Sequence, residues 1–196
     1  VDPGLSATGL APGEGIGVLT GLSSGFALDA ASAAGAYPLA VAGTLANPNY
    51  RLAARQDGTF TIARRPATIT PDALARVYGE ANPTSGRARG DGFVNGDGVV
   101  GVGLRSPADA RSGVGTYDLA AADAVGTGLA NYAITYAPRS GGLTVTPRPV
   151  TLAGTRAYDA TAAIAGGLLT VTDRVGADVV TLSGTGRLAG RDVGTQ

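Results

Sequence analysis

The chain has 196 residues, 44 % of them apolar, and 15 arginines balance 15 acids at zero net charge. Cys, His, Lys, Met and Trp are absent, which excludes disulfides, thiolate chemistry, zinc sites, Ser-His and Cys-His nucleophiles, Schiff bases and a phosphate-binding loop lysine. The balanced, scattered charge argues against a nucleic-acid or anionic-membrane binder, and no apolar run approaches the roughly 20 residues that span a bilayer.

The chain repeats itself at a period of roughly eighty residues. Residues 1–65 form a first copy, truncated at its N-terminal side. In it, Tyr37-Pro38-Leu39-Ala40-Val41 and Thr59-Phe60-Thr61-Ile62-Ala63 alternate apolar and polar positions. That period of two, rich in β-branched residues, predicts half-buried strands. The Ala-rich stretch 27–36 lacks an amphipathic stripe and predicts at most a turn.

Residues 66–148 form a second copy. Arg65-Pro66-Ala67-Thr68-Ile69 opens it and returns as Arg148-Pro149-Val150-Thr151-Leu152, a shift of 83 (66 to 149). Pro fixes φ and restricts its predecessor, so each Arg-Pro step predicts a short, semi-rigid joint between strands of adjacent modules. Residues 71–78 predict an extended segment or a single turn rather than a helix. Tyr117-Asp118-Leu119-Ala120-Ala121, Tyr132-Ala133-Ile134-Thr135-Tyr136 and Leu143-Thr144-Val145-Thr146 predict further strands. Asp57-Gly58, Asp91-Gly92, Asn95-Gly96, Asp97-Gly98 and Gly141-Gly142 supply the turns.

Residues 149–196 form a partial third copy, opening on a strand through Val150-Thr151-Leu152. Chains built this way are strings of small modules. The fold class expected is all-β: tandem small β-rich modules, sandwich-like or grasp-like, in an elongated array. The alternative is a β-solenoid, for which a period near eighty is long. The segment reads as part of a longer protein.

Few residues invite a chemical reading. Arg89-Gly90-Asp91 spells an integrin-type tripeptide, which would act from a projecting loop by offering its Asp carboxylate to a receptor-bound cation. In a chain this rich in Gly, Arg and Asp the triplet also arises by chance, and the repeat alignment puts it at a strand end. Asn95-Gly96-Asp97-Gly98 resembles a calcium loop but lacks a distal Glu, and a turn accounts for it better. The Gly-x-Gly spacings at Gly13, Gly15 and Gly17 and at Gly101 and Gly103 read as loops and bulges, without the strand-to-helix setting of a dinucleotide site. Tyr37, Tyr50, Tyr78, Tyr117, Tyr132 and Tyr158 fall at equivalent places in successive copies, which predicts core or rim packing rather than a sugar platform. No catalytic, metal-binding or cofactor-binding residue is assigned, and no cofactor is expected.

Several strings together carry a resemblance: Thr144 to Leu152 around Pro147-Arg148-Pro149, Val77-Tyr78-Gly79-Glu80-Ala81-Asn82-Pro83, Phe93-Val94-Asn95-Gly96-Asp97, Val114-Gly115-Thr116-Tyr117 and Asn131 to Tyr136. The second copy resembles the MBG repeat, the mostly bacterial, glycine-rich module of large surface proteins. The first copy resembles it more distantly, with Leu10-Ala11-Pro12-Gly13-Glu14 where the second has Phe93-Val94-Asn95-Gly96-Asp97. The third, through Ala157-Tyr158-Asp159-Ala160-Thr161, resembles the start of a YDG-type repeat, with Ala160 where that family usually has Gly.

The resemblance implies a non-catalytic stalk or spacer in a large secreted, filamentous-haemagglutinin-like adhesin of a Gram-negative cell surface, serving attachment or biofilm formation. The implied partners are neighbouring repeats of the same chain. The alternative is that this segment is itself a binding module for a host receptor, matrix protein or exopolysaccharide, through Arg89, Gly90 and Asp91. A weaker reading is self-association by strand-edge pairing. Neither nucleic acid nor membrane insertion is expected.

Overall fold

A computed structural model describes residues 2–195. The chain is all-β, and its helical pieces among the described residues are three-residue 3₁₀ turns. It divides into two compact units. One holds the residues up to Thr70 with Arg87–Val102 and Asp123–Ala137; the other holds Pro71–Gly86, Gly103–Ala122 and the residues from Pro138 on.

In the first unit, the N-terminal residues form strands β1 (Leu22–Ser23), β2 (Gly35–Leu39), β3 (Ala42–Gly43) and β4 (Gly58–Ile62). β1 pairs antiparallel with β3, and β2 with β4, setting Tyr37 opposite Phe60. Tyr37, Leu39, Phe60 and Ile62 are half-buried while Pro38, Thr59 and Thr61 face out, as the alternation predicts. Phe26 packs edge-on against Phe60, ring centroids 5.2 Å apart.

The central copy supplies β5 (Arg65–Pro71), β6 (Leu74–Val77), β7 (Ser85–Gly86), β8 (Ala88–Asp91), β9 (Gly98–Arg105), β10 (Gly115–Thr127), β11 (Tyr132–Tyr136) and β12 (Arg139–Thr146). A three-stranded sheet in the first unit runs β11-β5-β8. There β5 and β11 are parallel, with Tyr132 opposite Arg65 and Tyr136 opposite Ile69. Ala67, Ile69 and Tyr132 are buried in this unit. A five-stranded sheet has the order β6-β12-β10-β9-β7, with β6 parallel to β12; Leu104, Leu119, Leu143 and Val145 are buried core residues of the second unit. Residues 71–77 are extended, and Tyr78 opens a turn. The parallel partners are strands far apart in sequence rather than successive coils, so no solenoid forms among the described residues.

The third copy contributes β13 (Leu152–Gly154), β14 (Ala163–Ala165), β15 (Leu169–Val171) and β16 (Thr185–Arg187), paired as β13-β15 and β14-β16. By position in the repeat these are counterparts of β5, β7, β8 and β9.

Three local expectations are corrected. Gly141-Gly142 is no turn: both lie inside β12, where the register moves from Tyr117 opposite Leu143 to Leu119 opposite Arg139. That is a bulge, with Gly141 at φ +62 and its N–H donating to the Asp118 carboxylate at 3.1 Å. Arg65-Pro66 is no bare joint, since both residues begin β5 and pair with β11; Pro is tolerated at the start of a strand. Val150 and Thr151 precede β13, which begins at Leu152.

Candidate functional site

The glycine-bearing string after β6 closes on itself. The Val77 N–H donates to the Glu80 carboxylate at 3.2 Å and the Glu80 N–H to the Val77 carbonyl at 3.1 Å. The Gly79 N–H donates to the Ala110 carbonyl at 3.1 Å. Gly79 sits at φ +89, and a β-carbon there would also run into the Val175 side chain. Only glycine meets both demands. The Asp178 carboxylate near the Tyr78 hydroxyl holds its pKa above the usual phenol range.

Under this turn lies Arg76, only 5 % exposed although charged. Its Nε donates to Asn82 Oδ1 at 2.6 Å and its Nη1 to the Val77 carbonyl at 3.3 Å, while Nη2 reaches the Asp109 carbonyl. The Asn82 amide in turn donates to the Ala108 carbonyl. Each contact satisfies a buried polar atom, so the Tyr78–Asn82 signature is a clasp built round one guanidinium. Arg76 was not legible from sequence, because a charged residue in an alternating strand reads as surface.

Two further devices recur. Asp29 Oδ1 accepts from the Ala31 N–H and Ser32 Oγ, both at 3.0 Å. Eighty positions on, Asp109 Oδ1 accepts from the Arg111 N–H at 2.9 Å and Ser112 Oγ at 3.1 Å. These bonds hold both carboxyls below the ordinary range; the Ser32 hydroxyl dominates in Asp29 and the Arg111 amide in Asp109. The following tyrosines close the same loop: Tyr37 donates to the Ala33 carbonyl at 2.7 Å and Tyr117 to Gly113 at 2.8 Å. The shared Asp-x-x-Ser spacing was the available signal for these turns.

In the second device, the Tyr132 hydroxyl accepts from the Val94 N–H and donates to Asp97 Oδ2, each at 3.0 Å. The Tyr50 hydroxyl accepts from the Ala11 N–H at 3.1 Å and donates to the Glu14 carboxylate, which raises its pKa. The remote first copy thus keeps the contacts of the second, with Glu14 in the place of Asp97. Tyr132 is 4 % exposed and stacks at a tilt on Phe93, centroids 4.7 Å apart. Tyr158 departs from the packing expectation: at 62 % exposure it has no core to enter.

Arg89, Gly90 and Asp91 lie in β8, beside β5, not on a projecting loop. The Arg89 and Asp91 side chains face solvent, but the Phe93 ring covers Gly90 where a β-carbon would stand. A packing reason for Gly90 therefore exists without any receptor. In the Asn95–Gly98 loop, Asp97 is engaged by Tyr132, and among the described residues no group of three acidic side chains is placed to hold a metal. Among those residues no helix is long and apolar enough to cross a membrane. Among the described residues, one open cleft of about 810 Å³ lies within the first unit and another of about 750 Å³ between β13 and β16 in the second.

With the Tyr78–Asn82 clasp and the tyrosine clasps in place, the sequence match gains a structural meaning. Residues 67–144 match the family model of the MBG domain, YGX type. That stretch is similar to an MBG module. Its Tyr78-Gly79-Glu80 turn, its Asp109-Ser112 turn and its Tyr132 clasp all lie inside the matched span. The MBG domain fits a repeat module of bacterial surface proteins and is no known enzyme family. No curated protein and no solved structure matches the chain.

Proposed function

We propose that this chain is a non-catalytic stalk segment of a large secreted bacterial surface adhesin, exported by a Gram-negative cell and holding a distal binding region away from it. One observation carries the reading: two of the polar devices of the MBG module, the Asp-x-x-Ser turn with its tyrosine and the second tyrosine clasp, recur about eighty residues away in a sequence-divergent copy. The two copies share the contacts that close a module and differ in much of the remaining sequence, which suits a part whose work is length. Neighbouring repeats are its natural partners, and the third copy is read as the start of a YDG-type repeat. Attachment or biofilm formation would depend on the parent protein.

A second reading makes the segment itself adhesive through Arg89 and Asp91, and the exposure of both side chains favours it. Probing the purified chain against matrix proteins, integrin ectodomains and glycans separates the two. The stalk reading expects no saturable binding at micromolar concentration. Saturable binding abolished by Asp91→Glu would overturn it.

A further inference from the structure

One four-residue turn recurs in all three copies. The Glu14 N–H donates to the Ala11 carbonyl at 3.0 Å, the Asp97 N–H to the Val94 carbonyl at 3.0 Å and the Asp178 N–H to the Val175 carbonyl at 3.1 Å. The turns start 83 and then 81 positions apart (11 to 94, 94 to 175). Each holds a left-handed residue, Gly13 at φ +85, Asn95 at +58 and Gly176 at +53, and each ends on an acid.

In the second unit the turn of the third copy lies against the central copy. The Val175 side chain occupies the space that a β-carbon on Gly79 would need, and the Asp178 carboxylate faces the Tyr78 hydroxyl. The Gly79 N–H ties this corner to the Asp109–Ser112 turn by donating to the Ala110 carbonyl. The linker joins the same contact, since Arg148 Nε donates to the Asp173 carbonyl at 3.2 Å. The first unit contains a contact of the same kind. The Ala34 N–H, just past the Asp29–Ser32 turn, donates to Asn131 Oδ1 at 3.0 Å across 97 positions. Asn131 directly precedes Tyr132, whose hydroxyl holds the Val94–Asp97 turn. Each contact lies inside one compact unit and joins two successive copies. Each sets the neighbourhood of an Asp-x-x-Ser turn in the earlier copy against the neighbourhood of the four-residue turn in the later one.

We propose that the Tyr78-Gly79-Glu80 corner is the docking surface for the following repeat, and that its occupant is that repeat's apolar-x-x-acid turn, Val175–Asp178 here. Glycine is then required at position 79 twice over, by its own backbone and by a side chain of the neighbour. The occupant is β-branched and stiff at χ1, so it seats in one orientation. The joint between repeats is this seated turn, and not the Arg-Pro step alone. The proposal rests on the reading of neighbouring repeats as partners and names the contact they use.

The test uses the whole chain. It has no cysteine, so spin labels placed by Val114→Cys and Val179→Cys, both at exposed sites of the second unit, report on the joint alone. Pulsed electron resonance is expected to give one narrow distance distribution. Gly79→Ala is expected to widen it about twofold, and adding Val175→Ala, which removes the obstructing methyls, to narrow it again. Backbone strain at position 79 is the same with either residue at 175, so a corner serving only its own module shows no rescue. Val175→Asp, which leaves the corner itself untouched, is expected to widen the distribution as well. In the first unit the Ala34 amide is expected to be protected from exchange and to lose about tenfold of that protection in Asn131→Ala. A broad distribution in the labelled parent, a width indifferent to Gly79→Ala or to Val175→Asp, widening that Val175→Ala does not relieve, or an Ala34 amide unprotected in the parent each overturns the proposal. Receptor binding through Asp91 would defeat the stalk reading and leave all of these results unchanged.

Discussion

The central module and the third copy present the same strand in two settings. In β5, Ala67 and Ile69 are buried because β11 and β8 flank it. At β13 the corresponding Leu152, and Val150 just before it, stay about half exposed, with β15 as the one strand paired there. The local sequence is alike, with Arg-Pro followed by alternating apolar and Thr residues. Burial is therefore a property of the assembled module, set by a strand nearly seventy residues downstream of β5, and not of the segment that carries the apolar residue.

The largest expected effect sharpens this contrast. Ile69→Ala removes a fully buried side chain and should cost about 3 kcal/mol, as core truncations do; Leu152→Ala, at a half-exposed site, should cost under ~0.5 kcal/mol. Urea unfolding of the two variants reads the difference, and equal costs would break the comparison. Next in size is the tyrosine clasp. Tyr132→Phe strands the Val94 N–H and Asp97 and should cost about 1–2 kcal/mol, whereas Tyr50→Phe, at the water-accessible first copy, should cost less than half as much.

A smaller effect, of opposite sign, is expected at Ala160. Its φ of +60 is a left-handed conformation that glycine adopts freely and alanine resists. Ala160→Gly should stabilise the third copy by about 0.5–1 kcal/mol, after the extra chain entropy of glycine is deducted. The smallest effect concerns pH. The Arg156 guanidinium, with the Thr161 N–H, holds the Asp159 carboxyl at about 2. Because the folded value is depressed, the contact is fully present above the ordinary carboxyl range and is lost as pH falls toward 2. Carbon-detected NMR titration of Asp159 should give that midpoint, and a midpoint near 4 would show the contact is not kept in solution.

Much of the fold was legible because strands announce themselves in a period of two. Phe60, Ile62, Leu143 and Val145 all turned inward as the alternation required. The bulge at Gly141 was misread because a tight turn and a bulge make the same demand, a residue free to take positive φ. Arg65-Pro66 was misread because proline suits a joint and the start of a strand equally. Neither parallel ladder was legible, since nothing local in Leu74–Val77 names Leu143–Thr146 as its partner. Of the site residues, the tyrosines were found by recurrence, while Arg76 was missed because its burial depends on carbonyls of Asp109 and Val77 that only folding brings near.

The two parallel ladders have a mechanical consequence. β5 and β6 lie early in the MBG module, β11 and β12 late, and each early strand runs parallel to its late partner. A pull on the module's two ends therefore slides each pair lengthwise and loads all its rungs together, instead of peeling them one at a time. Rupture then requires several hydrogen bonds to fail at once, so resistance to tension is governed by the unfolding barrier rather than by equilibrium stability.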